Sequence, residues 1–119
     1  MATYSKEFLS GSTNGRGVKV AATASAGTTI HAAHASAKDE TWLWAINDTG
    51  SAVLLSIEFG GTTDPDDLVT VSVPAQGEPA TLVVPGLVLS NSLVVKAFSA
   101  PAGGIGAITL FGFVNRVTA

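Results

Sequence analysis

Apolar residues in this chain recur at every second position, in short runs, and turn-forming residues interrupt those runs about every ten positions. A period of two is the repeat of a strand with one face buried and the other wet. Helical spacing is nearly absent. Short strands at this interval predict a sandwich or a barrel. The segments drawn this way are Val18–Thr23, Thr28–Ala35, Thr41–Asn47, Ala52–Phe59, Leu68–Val73, Ala80–Val84, Ser92–Ser99 and Ala107–Val117, eight strands in all.

The residues between them support these breaks. Asn47-Asp48-Thr49-Gly50-Ser51 has hairpin-turn chemistry. Residues 60–67 form a longer polar loop. Residues 74–79 form another, bracketed by Pro74 and Pro79, since proline cannot sit in a central ladder. Val84-Pro85-Gly86-Leu87 fits a type II turn, with glycine where positive φ is needed. Ser99 to Gly106 reads as a Gly/Ala/Pro loop. Residues 1–17, rich in Ser, Gly, Thr and Asn, read as an extended N-terminal arm with Phe8-Leu9 as an anchor. Residues 18–119 form the sandwich domain.

Face assignments follow from the alternation. Val53, Leu55, Ile57 and Phe59 share one face, opposite Ser56 and Glu58; Val69, Val71 and Val73 oppose Thr70 and Ser72. The last strand is apolar on both sides, with Phe111, Phe113 and Val117 on one and Ile108, Leu110 and Val114 on the other. Strand 93–98 is also two-sided apart from Lys96. A sandwich strand needs only one apolar face, so Ile108, Leu110, Phe111, Phe113 and Val114 are the expected oligomer interface. Burial of such a second face contributes roughly 1.5–3 kcal/mol per large side chain.

Charge is scarce and uneven. Of the 119 residues, 13% are charged, about half the usual share. Residues 1–38 carry four basic side chains against Glu7, a net of +3; residues 39–119 carry two against eight acids, a net of −6. A basic leading segment on an acidic body suits lying on another surface. The longest apolar run, Leu82 to Leu89, is broken by Pro85 and Gly86 and is too short for a bilayer. The first residues have no apolar core of the signal-peptide kind. The chain has no cysteine, which excludes disulfides and thiol chemistry.

No constellation for catalysis stands out, and the expectation is a non-enzyme without cofactor or metal. His31 and His34 lie three apart and would point to opposite strand faces, so they read as ordinary histidines. Asp64, Asp66 and Asp67, with Glu58 nearby, offer carboxylates to Ca²⁺ but match no known loop spacing and read as a solvated acidic loop. Trp42 and Trp44, at i and i+2, share a strand face. They pack in the core or at an interface, or else form a sugar-stacking platform. Six basic residues, a pI near 5.1 and no basic–aromatic interleaving argue against nucleic acid.

The run Gly11 to Thr23, with Gly27-Thr28-Thr29-Ile30-His31, Ile57 to Thr63 and Gly112 to Val117, resembles small tailed-bacteriophage proteins that decorate or cement the capsid. The resemblance implies a jelly-roll sandwich, a homotrimer, and a place on the outer capsid surface of a virion assembled in the bacterial cytoplasm. The implied partners are the major capsid protein and further copies of the chain, with neither membrane nor nucleic acid. It transfers no contact residues. The arm residues Lys6, Arg16 and Lys19, pairing with acidic shell loops, and Phe8 and Leu9, filling an apolar pocket, are therefore the expected capsid contacts, with packing of residues 1–17 along a neighbouring subunit as the alternative. A glycan-binding sandwich of a fibre or spike, using Trp42 and Trp44, is the alternative, and a head–tail component another.

Overall fold

The computed structural model describes residues 2–99 and 107–118. These hold nine strands: β1 (Thr3–Phe8), β2 (Val18–Val20), β3 (Thr28–Ala32), β4 (Lys38–Asn47), β5 (Val53–Phe59), β6 (Leu68–Val73), β7 (Thr81–Leu89), β8 (Val94–Ser99) and β9 (Ile108–Thr118). Two antiparallel sheets face each other. One runs β1-β9-β4-β7, with β2 beside β1 on the same side of β9; the other runs β3-β8-β5-β6. The pairs β2–β9, β3–β8, β4–β7 and β5–β6 are nested, like one long hairpin rolled up, which is the jelly-roll arrangement.

The core lies between the sheets. Val20, Ile30, Leu43, Leu55, Ile57, Val95, Ile108 and Leu110 have no exposed surface. They come from alternate positions of strands in both layers, as the period of two requires. β4 is the longest continuous example. Asp39, Thr41, Leu43, Ala45 and Asn47 point in, while Glu40, Trp42, Trp44 and Ile46 point out.

Three sequence expectations are corrected. Of the expected arm only Thr3–Phe8 is extended, and it forms a ninth strand on its own chain, from Thr3 opposite Thr118 to Phe8 opposite Phe113. The segment after it folds into turns in which the Ser12 N–H donates to the Leu9 carbonyl and the Arg16 N–H to that of Thr13. Pro85-Gly86 is not a turn. β7 continues through it to Leu89, with register shifts against β4 between Thr41 and Trp42 and between Leu43 and Trp44. Gly86 does take positive φ, +76°, but within a bulged edge strand, where proline is tolerated. The chain reverses later, at Ser90–Leu93, through the positive φ of Asn91 and Ser92. Finally, Ile108, Leu110 and Val114 are fully buried in the chain's own core and face no second subunit. Of the Gly/Ala/Pro loop, residues 100–106 lie outside the described residues.

Two carboxylates are buried, Glu58 against the expectation that it shares the wet face of its strand. Glu58 accepts hydrogen bonds from the Ser25 hydroxyl (2.5 Å) and the Gly27 N–H (2.7 Å), pinning the β2–β3 loop over β5. It is therefore not part of the loop that carries Asp64, Asp66 and Asp67. Asp39 accepts from Arg116 Nε (2.8 Å) and Nη2 (3.1 Å), from His31 Nε2 (2.8 Å) and from the His34 N–H (3.2 Å). Burial pushes its carboxyl up. The bonds from Arg116 and His31, the Arg116 charge and the His34 N–H outweigh this and hold it at about 2. His31 completes the cluster by accepting the Ser10 N–H at Nδ1 (2.9 Å), so β3, β4, β9 and the end of the arm meet at one point.

Candidate functional site

The outward positions of β4 and β9 fall opposite each other. Glu40 faces Asn115, Trp42 faces Phe113, and Trp44 faces Phe111. β1 adds Tyr4 beside Val117, Lys6 beside Asn115 and Phe8 beside Phe113. On the other flank β7 sets Val88 beside Glu40, Pro85 beside Trp42 and Leu82 beside Trp44. The result is a broad apolar band across the outer face of the five-stranded sheet. Eight large apolar side chains are exposed among the described residues, and Tyr4 (73%), Phe8 (61%), Leu82 (44%), Val88 (54%) and Phe111 (44%) stand on this one face. Scattered apolar residues on a surface are ordinary; a concentration on one sheet face is not, and it makes this face the candidate contact surface.

The rings are ordered. Trp42 and Trp44 lie 6.2 Å apart, centroid to centroid, with 19° between planes; Trp44 and Phe113 lie 6.1 Å apart at 28°. These are the separations of offset stacks, in which ring faces turn toward one another. Lys6 Nζ sits 4.6 Å above the centroid of Phe113, a cation–π contact that lays its methylenes across the band. Two glycines make room for Trp42. A Cβ on Gly112 would strike the Trp42 carbonyl oxygen, and one on Gly86 would sit 2.8 Å from Trp42 Cζ2.

Glu40 supplies the polar note. Its Oε1 accepts from Trp42 Nε1–H (2.7 Å) and Asn115 Nδ2–H (3.1 Å). The bonds from Trp42 and then Asn115 lower its carboxyl below the ordinary range, so it is charged at neutral pH. The alternation already marks Glu40 as sharing the face of Trp42 and Trp44. It was missed because a lone glutamate two residues from a tryptophan signals nothing by itself. Tyr4, Leu82 and Val88 were missed because their strands join this sheet only through distant partners.

The expected arm contacts separate. Lys6 and Phe8 belong to the aromatic face. Leu9 is 1% exposed and part of the core, so it is no anchor for another protein. Arg16 and Lys19 border an open cleft of about 550 Å³ with Gly11, Gly17 and Phe111, at the corner where β2 meets β9. Of the expected interface, Phe111 and Phe113 stay on the outer face. His31 and His34 are also apart in role. His31 is buried in the Asp39 cluster, whereas exposed His34 lies past the end of β3, its Nδ1 accepting the N–H of Ser36 (3.1 Å) and of Ala37 (2.9 Å). Asp67 is used locally, its Oδ2 accepting the Thr63 N–H (3.0 Å). Among the described residues, no three His, Asp or Glu side chains gather in a way that could hold a metal ion.

Comparison with known proteins finds no matching family model, no matching curated protein and no matching solved structure.

Proposed function

We propose that the protein is a structural component of a tailed-phage virion that binds the outer capsid surface as an oligomer and cements the head. The observation that carries this reading is the aromatic face of the five-stranded sheet, a broad apolar surface with a charged rim and no partner among the described residues. The jelly roll and the resemblance of the Gly11–Thr23 and Gly112–Val117 runs to decoration proteins support it; fold alone would not.

The work is mechanical. Each docked copy adds contacts that must break before the shell opens, and an oligomer bound at several shell sites holds more tightly than any single contact. Phe8, Phe111, Phe113, Trp42 and Trp44 supply apolar area. Arg16 and Lys19, at the cleft beside Phe111, meet acidic loops of the major capsid protein and orient the approach.

Co-sedimentation with mature heads prepared without the protein tests the reading. Saturable binding is expected, and Phe111→Ser weakens it about tenfold or more in a variant that remains folded, its stability falling by only about 1 kcal/mol because Phe111 is 44% exposed and its cross-strand pairing with Trp44 is what the fold loses. Wild-type protein that fails to bind heads sinks the proposal. A second reading, glycan binding, is favoured by the placement of Trp42 and Trp44 beside charged Glu40, whose Oε2 is free of the two bonds at Oε1. The offset stacking counts against it, since the rings turn their faces to each other and away from a sugar. A tryptophan fluorescence change on adding sugars, with no head binding, selects that reading.

A further inference from the structure

An antiparallel sheet ends in edges, and exposed edges invite pairing with other chains unless something interrupts them. Three of the four edges here are interrupted. β7 carries Pro85 and two register shifts. β3 carries a register shift between Thr29 and His31. The β1/β2 edge is split into two short pieces and bears Lys6, Glu7 and Lys19. β6 is different. Leu68-Val69-Thr70-Val71-Ser72-Val73 contains no charge, proline or glycine, and it pairs with β5 residue for residue without a shift.

The ladder shows which groups of β6 are free. Phe59 N–H donates to the Asp67 carbonyl (2.8 Å). Antiparallel alternation then directs the N–H and C=O of Val69, Val71 and Val73 toward β5 and those of Leu68, Thr70 and Ser72 outward. The Leu68 N–H is taken by the Pro65 carbonyl (3.3 Å). Three carbonyls and the N–H groups of Thr70 and Ser72 have no protein partner among the described residues.

We propose that β6 pairs with β6 of a second copy, antiparallel and centred on Thr70, joining the two four-stranded sheets into one of eight. In this register Thr70 exchanges two hydrogen bonds with its counterpart, and each Ser72 N–H meets the opposite Leu68 carbonyl. No group already engaged is called upon. Charge selects the direction. Asp64, Asp66 and Asp67 lie at one end of β6, and uncharged Val73 to Gln76 at the other. Antiparallel pairing sets each acidic loop against the neutral end of its neighbour, whereas parallel pairing would bring six carboxylates together. The contact is two-fold and uses both edges, so it closes as a pair and cannot grow into a fibre; Pro74 ends the ladder. It yields dimers, not the threefold ring the resemblance implies, and it stands independently of capsid binding.

Light scattering over a concentration series tests it, together with amide exchange at Thr70 and Ser72. Wild-type protein is expected at about 24 kDa, twice the 12.0 kDa chain, with both amides protected. Thr70→Lys opposes two ammonium groups across the pair and is expected to raise the dissociation constant about tenfold or more. Thr70→Pro removes only the outward N–H and is expected to act likewise, with urea midpoints within the range of other edge substitutions. A monomer at every concentration overturns the proposal. So does an oligomer whose mass neither variant changes, and so does protection of the two amides only when capsid heads are added.

Discussion

Asp39→Asn replaces the one carboxylate on which Arg116, His31 and the His34 N–H converge, without changing its size. The wild-type carboxyl lies at about 2 against an ordinary 3.8, and a shift of that size corresponds to about 2 kcal/mol of folding stability. The folded value is lowered, so the contribution is complete above the ordinary value. It drains away as pH falls from about 4 to 2, where the unfolded chain takes up the proton first. At pH 7 the variant is expected to be about 3 kcal/mol less stable. That is the low end for breaking a buried pair, because Arg116 is 23% exposed and can turn to water. Glu40 is also held low but is open to solvent, so its share is screened and present in both proteins. Urea unfolding followed by tryptophan fluorescence, repeated from pH 7 to 2, gives the gap between wild type and variant. It should stay constant down to about pH 4 and then narrow by about 2 kcal/mol. A gap that stays constant to pH 2 would refute the assignment of Asp39 as the anion that holds these elements together.

Leu9→Ala is expected to cost about 2–5 kcal/mol in the same unfolding assay, because Leu9 is a core residue, and to leave head binding per folded molecule unchanged. Deleting residues 1–10 should therefore unfold the protein, whereas deleting 2–7 should leave a folded sandwich by circular dichroism. Thr41→Val should stabilise by about 1 kcal/mol, since the buried Thr41 hydroxyl has no hydrogen-bond partner among the described residues and valine keeps its shape; a lower melting temperature would mean that the hydroxyl is satisfied after all.

The strand pattern was legible where alternation and turn chemistry coincide, as at Thr41–Asn47, Val53–Phe59 and Leu68–Val73. The two faces of β9 were assigned correctly, but which one is core was not readable, because both are apolar and the choice depends on where β2 and β4 lie. Thr3–Phe8 was read as part of an arm and not as a strand of the sheet, because its pairing comes from β9, more than a hundred residues away in sequence. Local turn chemistry at Pro85-Gly86 was overridden by the ten-residue partner strand β4, against which a bulge costs less than breaking the ladder. Glu58 looked solvated because its partner Ser25 lies 33 positions away, and nothing local marks Asp39, whose partner Arg116 lies 77 positions away. Trp42 and Trp44 were placed on a common face, but not that this face is the outer one.

The nested order of the strands also bears on how the chain reaches this state. The innermost pair, β5 with β6, closes across one loop, while the outermost joins Thr3 to Thr118. Loop closure grows costlier outward, so we expect β5–β6 to form early and the fold to complete slowly, in the millisecond-to-second range of sandwiches. β9 pairs with β1, β2 and β4, all of which leave the ribosome before it. During synthesis those three strands wait without the strand they pair with, and the core face that Ile108, Leu110 and Val114 will fill stays open. The interval before β9 arrives is the period of greatest exposure to aggregation in the life of the molecule.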